Sequence, residues 1–365
     1  MSYLMPVIII FSVVAGIDYI IGNRLKLGDE FKRAFMLMGT MMLSMTGMII
    51  IAPFIGECLS PFFGYIYKIF RLDPSIVPAI LFANDMGGAP LAMEIAVNAD
   101  MGAFNGLVVS SMMGATISFT IPFAIGIVSK EKHREMFLGL LCGLVTIPIG
   151  CFVAGLICGL PIISLLIDLL PLIIFSVIVA IGVIKAPNFC VKVFKIFGFL
   201  LTALIIAGLM LGIVEFLTEK KVLDGLATIE EGALVCLNAS IVLSGMFPLV
   251  KLLAFLLKKP LKHLGKKIGI NEESAIGFVS TVASNATTIG IMDKMDKKGV
   301  MLNSAFAVSA SFVVGSHLAF TMAVDVGYVL PVIVGKLVAG ILAVVVAEIF
   351  SKFVLEDKKC LDEKK

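Results

Sequence analysis

The stretch Phe82-Ala83-Asn84-Asp85-Met86-Gly87-Gly88-Ala89-Pro90 places a carboxylate, an amide, two glycines and a proline inside an apolar segment that runs from Ile76 to Val97. Glycine and proline weaken the helical hydrogen-bond ladder. In a bilayer, the backbone groups that such a break frees must face protein or a water-filled cavity. The stretch therefore predicts a broken helix, and the ionisable Asp85 at the break indicates a functional site.

The composition of the whole chain indicates that the chain lies in a bilayer. Hydrophobic residues make up 59% of the 365 residues, charged residues 15%, and the mean hydropathy is +1.09. A soluble domain carries about 25% charged residues, so the chain is expected to be a multi-pass membrane protein. Segments long enough to span a bilayer lie near 3–22, 34–56, 75–97, 103–128, 135–158, 161–185, 189–216, 232–257, 273–293, 300–322 and 327–350. Residues 57–74 are expected to form an amphipathic surface piece, with the basic residues 258–271 in the same place in the second half.

The two halves of the chain repeat each other. An offset of about 200 residues aligns Leu43-Ser44 with Leu243-Ser244, and an offset of 201 aligns Asn84 with Asn285. The same offset of 201 aligns Ser110 with Ser311 and Gly114 with Gly315. We therefore expect repeat one in residues 1–158, a connecting helix in 159–188, repeat two in 189–352 and a charged cytoplasmic tail in 353–365.

The basic residues predict how the repeats are oriented. If the segments with Asn84 and Asn285 enter and leave on one side, 24 loop Lys and Arg residues lie on one face and 4 on the other. This split agrees with the positive-inside rule. The predicted fold is an all-α integral membrane protein with two inverted repeats, about nine full-spanning helices and two re-entrant hairpins. The N-terminus is expected outside and the C-terminus in the cytoplasm.

The two breaks supply the candidate binding residues. The carbonyl groups that end a half-helix carry partial negative charge, and with Asp85 they suit a small cation such as ammonium, sodium or a proton. The second break aligns Ala286 with Asp85, so it offers amide and hydroxyl groups instead of a carboxylate. The predicted substrate-binding residues are Asn84, Asp85, Gly87, Gly88, Ser110, Ser111, Asn285, Thr287, Thr288, Ser311 and His317.

Other polar residues are predicted to have structural roles. Most of the serines and glycines after the breaks are also consistent with close helix packing. Lys336 is expected to snorkel to an outer helix end, and the seven cysteines are expected to pack as hydrophobes. The chain has no P-loop and no HExxH or GxSxG motif, so no enzyme, metal or cofactor is predicted.

Several stretches resemble the EutH family of bacterial ethanolamine permeases. They are Asp85-Met86-Gly87-Gly88, Ser111-Met112-Met113-Gly114, the run from Gly143 to Cys151, Phe306 to Ala310, His317-Leu318 and Ile333-Val334-Gly335-Lys336-Leu337. The resemblance implies a transporter in the bacterial inner membrane with ethanolamine as its substrate. Asp85 would then hold the ammonium group, and Asn285 with nearby hydroxyls would hold the alcohol.

Three alternatives remain open at this point. The chain could carry another small amine with a coupled cation, or a small carboxylate bound at half-helix N-termini. It could also be a membrane scaffold that assembles with other proteins. A homodimer is expected only by analogy with transporters that contain paired hairpins, and nothing in the sequence indicates nucleic-acid binding.

Overall fold

The computed structural model describes residues 4–82, 86–115, 124 and 127–362. Across these residues the secondary structure is helical, without a strand. The first half contains α1 (Leu4–Ile20), α2 (Gly28–Met41), α3 (Gly47–Phe70), α4 (Ile76–Leu81), α5 (Gly88–Ile95), α6 (Ala99–Ala103), α7 (Ser110–Ala115) and α8 (His133–Ile157). The second half follows with α9 (Ile162–Lys185), α10 (Pro187–Thr218), α11 (Ile229–Ile268), α12 (Glu272–Ala283), α13 (Asn285–Ile291), α14 (Lys297–Ala310), α15 (Ser316–Val324) and α16 (Val329–Asp362).

Two π-helical turns interrupt otherwise continuous helices. One turn, Met42–Thr46, joins α2 to α3, and the other, Phe104–Val109, joins α6 to α7. Single π turns inside α-helices occur frequently at functional sites. Both turns lie in the first half of the chain.

Six helical stretches in the described part of the chain are long and apolar enough to cross a membrane. They are Gly28–Leu59, Lys130–Ile157, Ile162–Gly182, Lys192–Thr218, Ile229–Leu253 and Val326–Lys352. Many of their large hydrophobic side chains are exposed, including Ile163, Phe199 and Leu217. A soluble fold would bury such side chains, so these surfaces fit contact with lipid. The chain is therefore an all-helical membrane protein.

The structure corrects two predicted segments. Residues 57–70 are not a separate surface piece, because α3 continues to Phe70, and the basic stretch after residue 257 likewise belongs to α11, which ends at Ile268. Residues 300–322 are not one continuous crossing, because α14 ends at Ala310 and α15 begins at Ser316.

The first broken segment is a hairpin. The carboxylate of Asp73, just before α4, accepts hydrogen bonds from the backbone N–H groups of Val97 and Asn98, just after α5, at 3.2 and 2.9 Å. A straight helix from residue 73 to residue 98 would separate these groups by about 37 Å, since the rise is 1.5 Å per residue. The segment therefore enters and leaves at the same place.

The second broken segment closes in the same way. The carboxylate of Asp296, after α13, accepts hydrogen bonds from the backbone N–H of Asn271 and the hydroxyl of Ser274 at 3.0 and 2.7 Å. The Asn271 side chain also donates to the carbonyl of Lys294 at 2.8 Å. These bonds join the start of α12 to the end of α13, so this segment also folds back on itself.

Further contacts recur in both halves. The Asn105 amide donates to the Ser75 hydroxyl in the first half, and the Asn303 amide donates to the Ser274 carbonyl in the second half. The initial helices exchange partners, since α1 packs against α11 and α10 packs against α3. Glycines permit both crossings: Gly245 leaves no room for a Cβ beside Ile8, and Gly47 leaves none beside Ile205. Each half thus has a hairpin closed at its base and an initial helix that packs on the other half.

Replacing Asp296 with alanine is predicted to loosen the base of the second hairpin. Each hydrogen bond to a charged group contributes about 1.5–3 kcal/mol, and Asp296 accepts bonds from Asn271, Ser274 and Gly299. We expect a loss of about 2 kcal/mol, seen as a lower unfolding midpoint of the purified protein in detergent. The matched control is D224A, at an exposed carboxylate; equal midpoints for the two variants would contradict the role of Asp296.

Candidate functional site

The tip of the first hairpin lies partly outside the described residues. Asn84 and Asp85 belong to the residues that the structure does not describe. On the far side of the break, Met86 is fully buried in the left-handed region with φ 71°, and α5 begins at Gly88. Gly88 is required by close packing, because a Cβ there would lie 2.5 Å from the Pro78 carbonyl oxygen.

The predicted residues at the tip of the second hairpin lie in different environments. Asn285 is fully buried and begins α13, directly after the extended Ser284. The Thr288 hydroxyl donates to the Gly277 carbonyl at 3.0 Å and lies 2.8 Å from the Thr281 hydroxyl, so it holds the two arms of the hairpin together. Thr287, by contrast, is exposed.

The segment between α14 and α15 is unwound and attached to the second hairpin. The backbone N–H groups of Phe312 and Val314 donate to the carbonyls of Thr281 and Val282 at 3.2 and 3.1 Å. Phe312 adopts a left-handed φ of 59°, and a Cβ on Gly315 would lie 2.5 Å from the Ala283 carbonyl oxygen. The backbone groups freed by one break are thus paired with the helix end of the other.

Lys336 joins two of the predicted site stretches. Its ammonium group donates to the Ser111 carbonyl at 2.5 Å and lies 3.2 Å from Nδ1 of His317. Lys336 and His317 are both fully buried. The prediction that Lys336 snorkels to a helix end is therefore wrong. Its long side chain reaches inward to α7 and α15, a contact that sequence position alone does not reveal.

The remaining predicted residues bond mostly within their own segments. The Ser111 hydroxyl donates to the Val108 carbonyl at 2.8 Å, and the Ser311 hydroxyl donates to the Ala307 carbonyl. Within the described part of the chain, the buried Ser110 hydroxyl has no hydrogen-bond partner. The imidazole of His317 packs on the ring of Phe312, with centroids 5.0 Å apart. The structure therefore brings Ser111 and His317 together through Lys336.

A cavity of about 410 Å³ reaches the second hairpin from a charged surface. Lys251 and Arg33 flank Glu30 at its mouth, at 3.2 and 3.3 Å, and the Arg33 guanidinium lies over the Phe247 ring. The cavity is lined by Glu30, Arg33, Phe247, Val250, Lys251, Phe255, Ile276, Val279, Ser280, Ala283 and Thr287. Thr287 is thus the predicted site residue that faces open space. The mouth lies on the face that the distribution of basic residues predicts to be cytoplasmic.

On the same predicted face, a loop contact holds the end of the second hairpin. Asp293 accepts a hydrogen bond from the backbone N–H of Ser129 at 2.9 Å. This bond, with the nearby Lys132, holds the pKa of Asp293 below its usual value because both favour the ionised carboxylate. The contact ties the loop before α8 to the exit of the second hairpin.

Sequence reasoning missed Asp168, a buried acidic residue. Asp168 lies on α9, is 2% exposed, and neighbours Asn105 and Asp73 at the base of the first hairpin. A signal was available, because Asp168 is the one charged residue in the apolar run from 162 to 184.

Comparison with known proteins identifies relatives that cover nearly the whole chain. The family model described as "Ethanolamine utilisation protein, EutH" matches residues 1–350. A protein of Listeria monocytogenes named "Probable ethanolamine permease EutH" is 40% identical over 355 residues, covering 97% of this chain and 95% of the relative. A protein of Salmonella typhimurium with the same name is 39% identical over 345 residues, covering 88% and 84%. "Uncharacterized protein YxeR" of Bacillus subtilis is 35% identical over 337 residues, covering 92% and 91%. No solved structure matches the chain.

Replacing Gly315 with alanine is predicted to separate the unwound segment from the second hairpin. The new methyl group would collide with the backbone carbonyl of Ala283, which cannot move without moving the end of α12. Gly290→Ala is the matched control, because that glycine lies in the same hairpin with open space around its Cβ position. We expect G315A to lose at least tenfold in substrate uptake by reconstituted protein and G290A to stay within twofold. Comparable uptake by both variants would contradict the proposed contact.

Proposed function

The chain belongs to the EutH family of ethanolamine utilisation proteins, and from this we propose that it carries ethanolamine across the bacterial cytoplasmic membrane. Family membership is the observation that supports this most directly, since the model matches residues 1–350 and two relatives are named as ethanolamine permeases. The six long apolar helices fit a multi-pass membrane protein. The activity proposed is transport without a catalytic step.

The chemistry of ethanolamine fits the polar groups at the helix breaks. By analogy with lysine, its primary amine is mostly protonated at neutral pH. We propose that Asp85, at the first break, supplies the negative charge for this ammonium group. Asn285, buried at the second hairpin tip, then holds the hydroxyl with nearby hydroxyl groups. The helix ends at Leu81 and Ala283 add carbonyl groups that carry partial negative charge.

The repeated contacts support an inverted arrangement of the two halves. Each half contains a hairpin closed at its base, and the initial helix of each half packs on the other half. In the proposed topology, the first hairpin enters from outside and the second from the cytoplasm, with the N-terminus outside and the C-terminus in the cytoplasm. Repeats 1–158 and 189–352 would then be related by an axis in the membrane plane, with α9 as the connection.

This arrangement gives a route for alternating access. The cavity beside Thr287 opens to the face that carries Lys251 and Arg33, so the described conformation is proposed to be open to the cytoplasm. Movement of one part of the molecule against the other would close this cavity and open the outer side. The family match gives no support to a carboxylate carrier or a scaffold. Facilitated diffusion and cation coupling both fit the geometry, and a homodimer stays a prediction.

The direct test is uptake of radiolabelled ethanolamine into proteoliposomes that contain only this protein. We expect the wild type to take up ethanolamine, and Asp85→Asn to lose at least tenfold, because the neutral amide cannot offset the substrate's charge. The matched control is Asp224→Asn, in an exposed loop, which should keep wild-type uptake. Full uptake by D85N would contradict the role of Asp85, and no uptake by the wild type would contradict the proposed function. Imposed proton and sodium gradients separate passive from coupled transport.

A further inference from the structure

Lys336 is a buried cation whose role the proposed transport site leaves unexplained. It lies on α16, and its relative exposure is 0%. Its ammonium group is held by the Ser111 carbonyl of α7 at 2.5 Å and by His317 of α15 at 3.2 Å. No carboxylate in the described part of the chain forms an ion pair with it.

Burying a lysine without a carboxylate partner is energetically unfavourable. Removing an ammonium group from water carries a penalty of several kcal/mol, which a paired carboxylate would normally offset. Here the compensation comes from a carbonyl oxygen and a ring nitrogen. Intramembrane charges of this kind mark binding and transport pathways by default.

The two groups around Lys336 form a binding site for an ammonium ion. A lysine has three N–H donors and no acceptor, so both partners must accept. When Lys336 is in its ammonium form, Nδ1 of His317 accepts with its lone pair, and the neutral imidazole carries its proton on Nε2. A carbonyl oxygen with a neutral imidazole can bind any primary ammonium group of suitable size.

The end of the Lys336 side chain is chemically the same group as one end of ethanolamine. Each is a protonated primary amine on a methylene carbon. We propose that the Ser111 carbonyl and His317 form a second ammonium site, in addition to the one proposed at Asp85, and that Lys336 is its tethered occupant, which the ammonium group of the substrate displaces during transport. This inference rests on the proposed function, because it takes a primary alkylammonium ion as the substrate.

The position of Lys336 gives this displacement a structural consequence. Ser111 belongs to the first half of the chain, whereas His317 and Lys336 belong to the second, and the lysine bridges them. When the substrate takes over the two acceptors, that bridge between α7, α15 and α16 is lost. Substrate binding is thereby linked to freedom of the two halves to move.

Competition between the two ammonium groups predicts whether ethanolamine affinity rises or falls when Lys336 loses its charge. Two ammonium groups at one buried site of low dielectric constant repel each other, and they also compete for the same acceptors. Removing the charge of Lys336 should therefore strengthen ethanolamine binding. A lysine that only supported the site would give the opposite result.

The test measures equilibrium binding of radiolabelled ethanolamine to the purified full chain in detergent. Lys336→Met keeps most of the length of the side chain without its charge, and Lys336→Gln also keeps an N–H donor for the Ser111 carbonyl. We expect both variants to bind ethanolamine about tenfold more tightly than the wild type. Lys336→Arg retains a cation and should bind no more tightly than the wild type.

The matched control is Lys132→Gln, because the ammonium group of Lys132 is also held by backbone carbonyls, those of Met292, Asp293 and Met295, away from His317. Its affinity should stay within twofold of the wild type. Unchanged or weaker binding by folded K336M or K336Q would overturn the inference while the wild type still binds ethanolamine. If neither neutral variant folds, tighter binding by K336R would overturn it. A wild type that binds no ethanolamine would contradict the proposed function itself, and this inference with it.

Discussion

The fold depends on satisfying the backbone groups that its helix breaks set free. In a bilayer, an unpaired N–H or carbonyl costs several kcal/mol, so a break survives only where protein or a water-filled cavity covers it. Here the freed backbone groups at one break pair with those at another. The N–H groups of Phe312 and Val314, freed where α14 ends, donate to the carbonyls of Thr281 and Val282 at the end of α12. Gly315 allows this because it has no side chain to hold the two segments apart.

The same requirement explains why the polar residues occur in sets rather than singly. At the base of each hairpin, an acidic residue accepts from the chain that returns to it, Asp73 in one half and Asp296 in the other. Near the tip of the second hairpin, Thr288 bonds across its own hairpin, and outside the hairpins Lys336 bonds to Ser111 and His317. The described interior thus contains several local polar networks within apolar surroundings. Polar groups that such a network holds in place can bind a small polar substrate without a large cavity.

Much of this organisation could be predicted from the sequence. The apolar segments and the glycine and proline residues near Asn84 located the first hairpin, and the repeat with Asn285 located the second. Local signals were sufficient there, because a hairpin depends on residues close in the chain. The break at 311–315 was missed, since Gly315 alone in an apolar run is also common in a packed helix. The length of α3 was missed because residues 57–74 were expected to form a separate amphipathic piece, whereas the helix continues to Phe70.

The buried charges were harder to predict than the helices. Lys336 lies few residues from a helix end, and only the three-dimensional packing of α7 and α15 shows that its side chain points inward. Asp168 contacts residues more than sixty positions away, so its neighbours were not available from its own segment. Asp85 remains a prediction of the sequence, because the structure does not describe it.

In the proposed topology, the two hairpins enter the membrane from opposite sides. Single cysteines at Arg71, Asn98, Lys267 and Lys294, all exposed at hairpin ends, can be tested with a membrane-impermeant maleimide in intact cells and in inverted vesicles. The proposed topology predicts labelling at 71 and 98 only from outside, and at 267 and 294 only from the cytoplasmic side. Labelling of 71 and 98 from opposite sides, or of all four positions from one side, would contradict it.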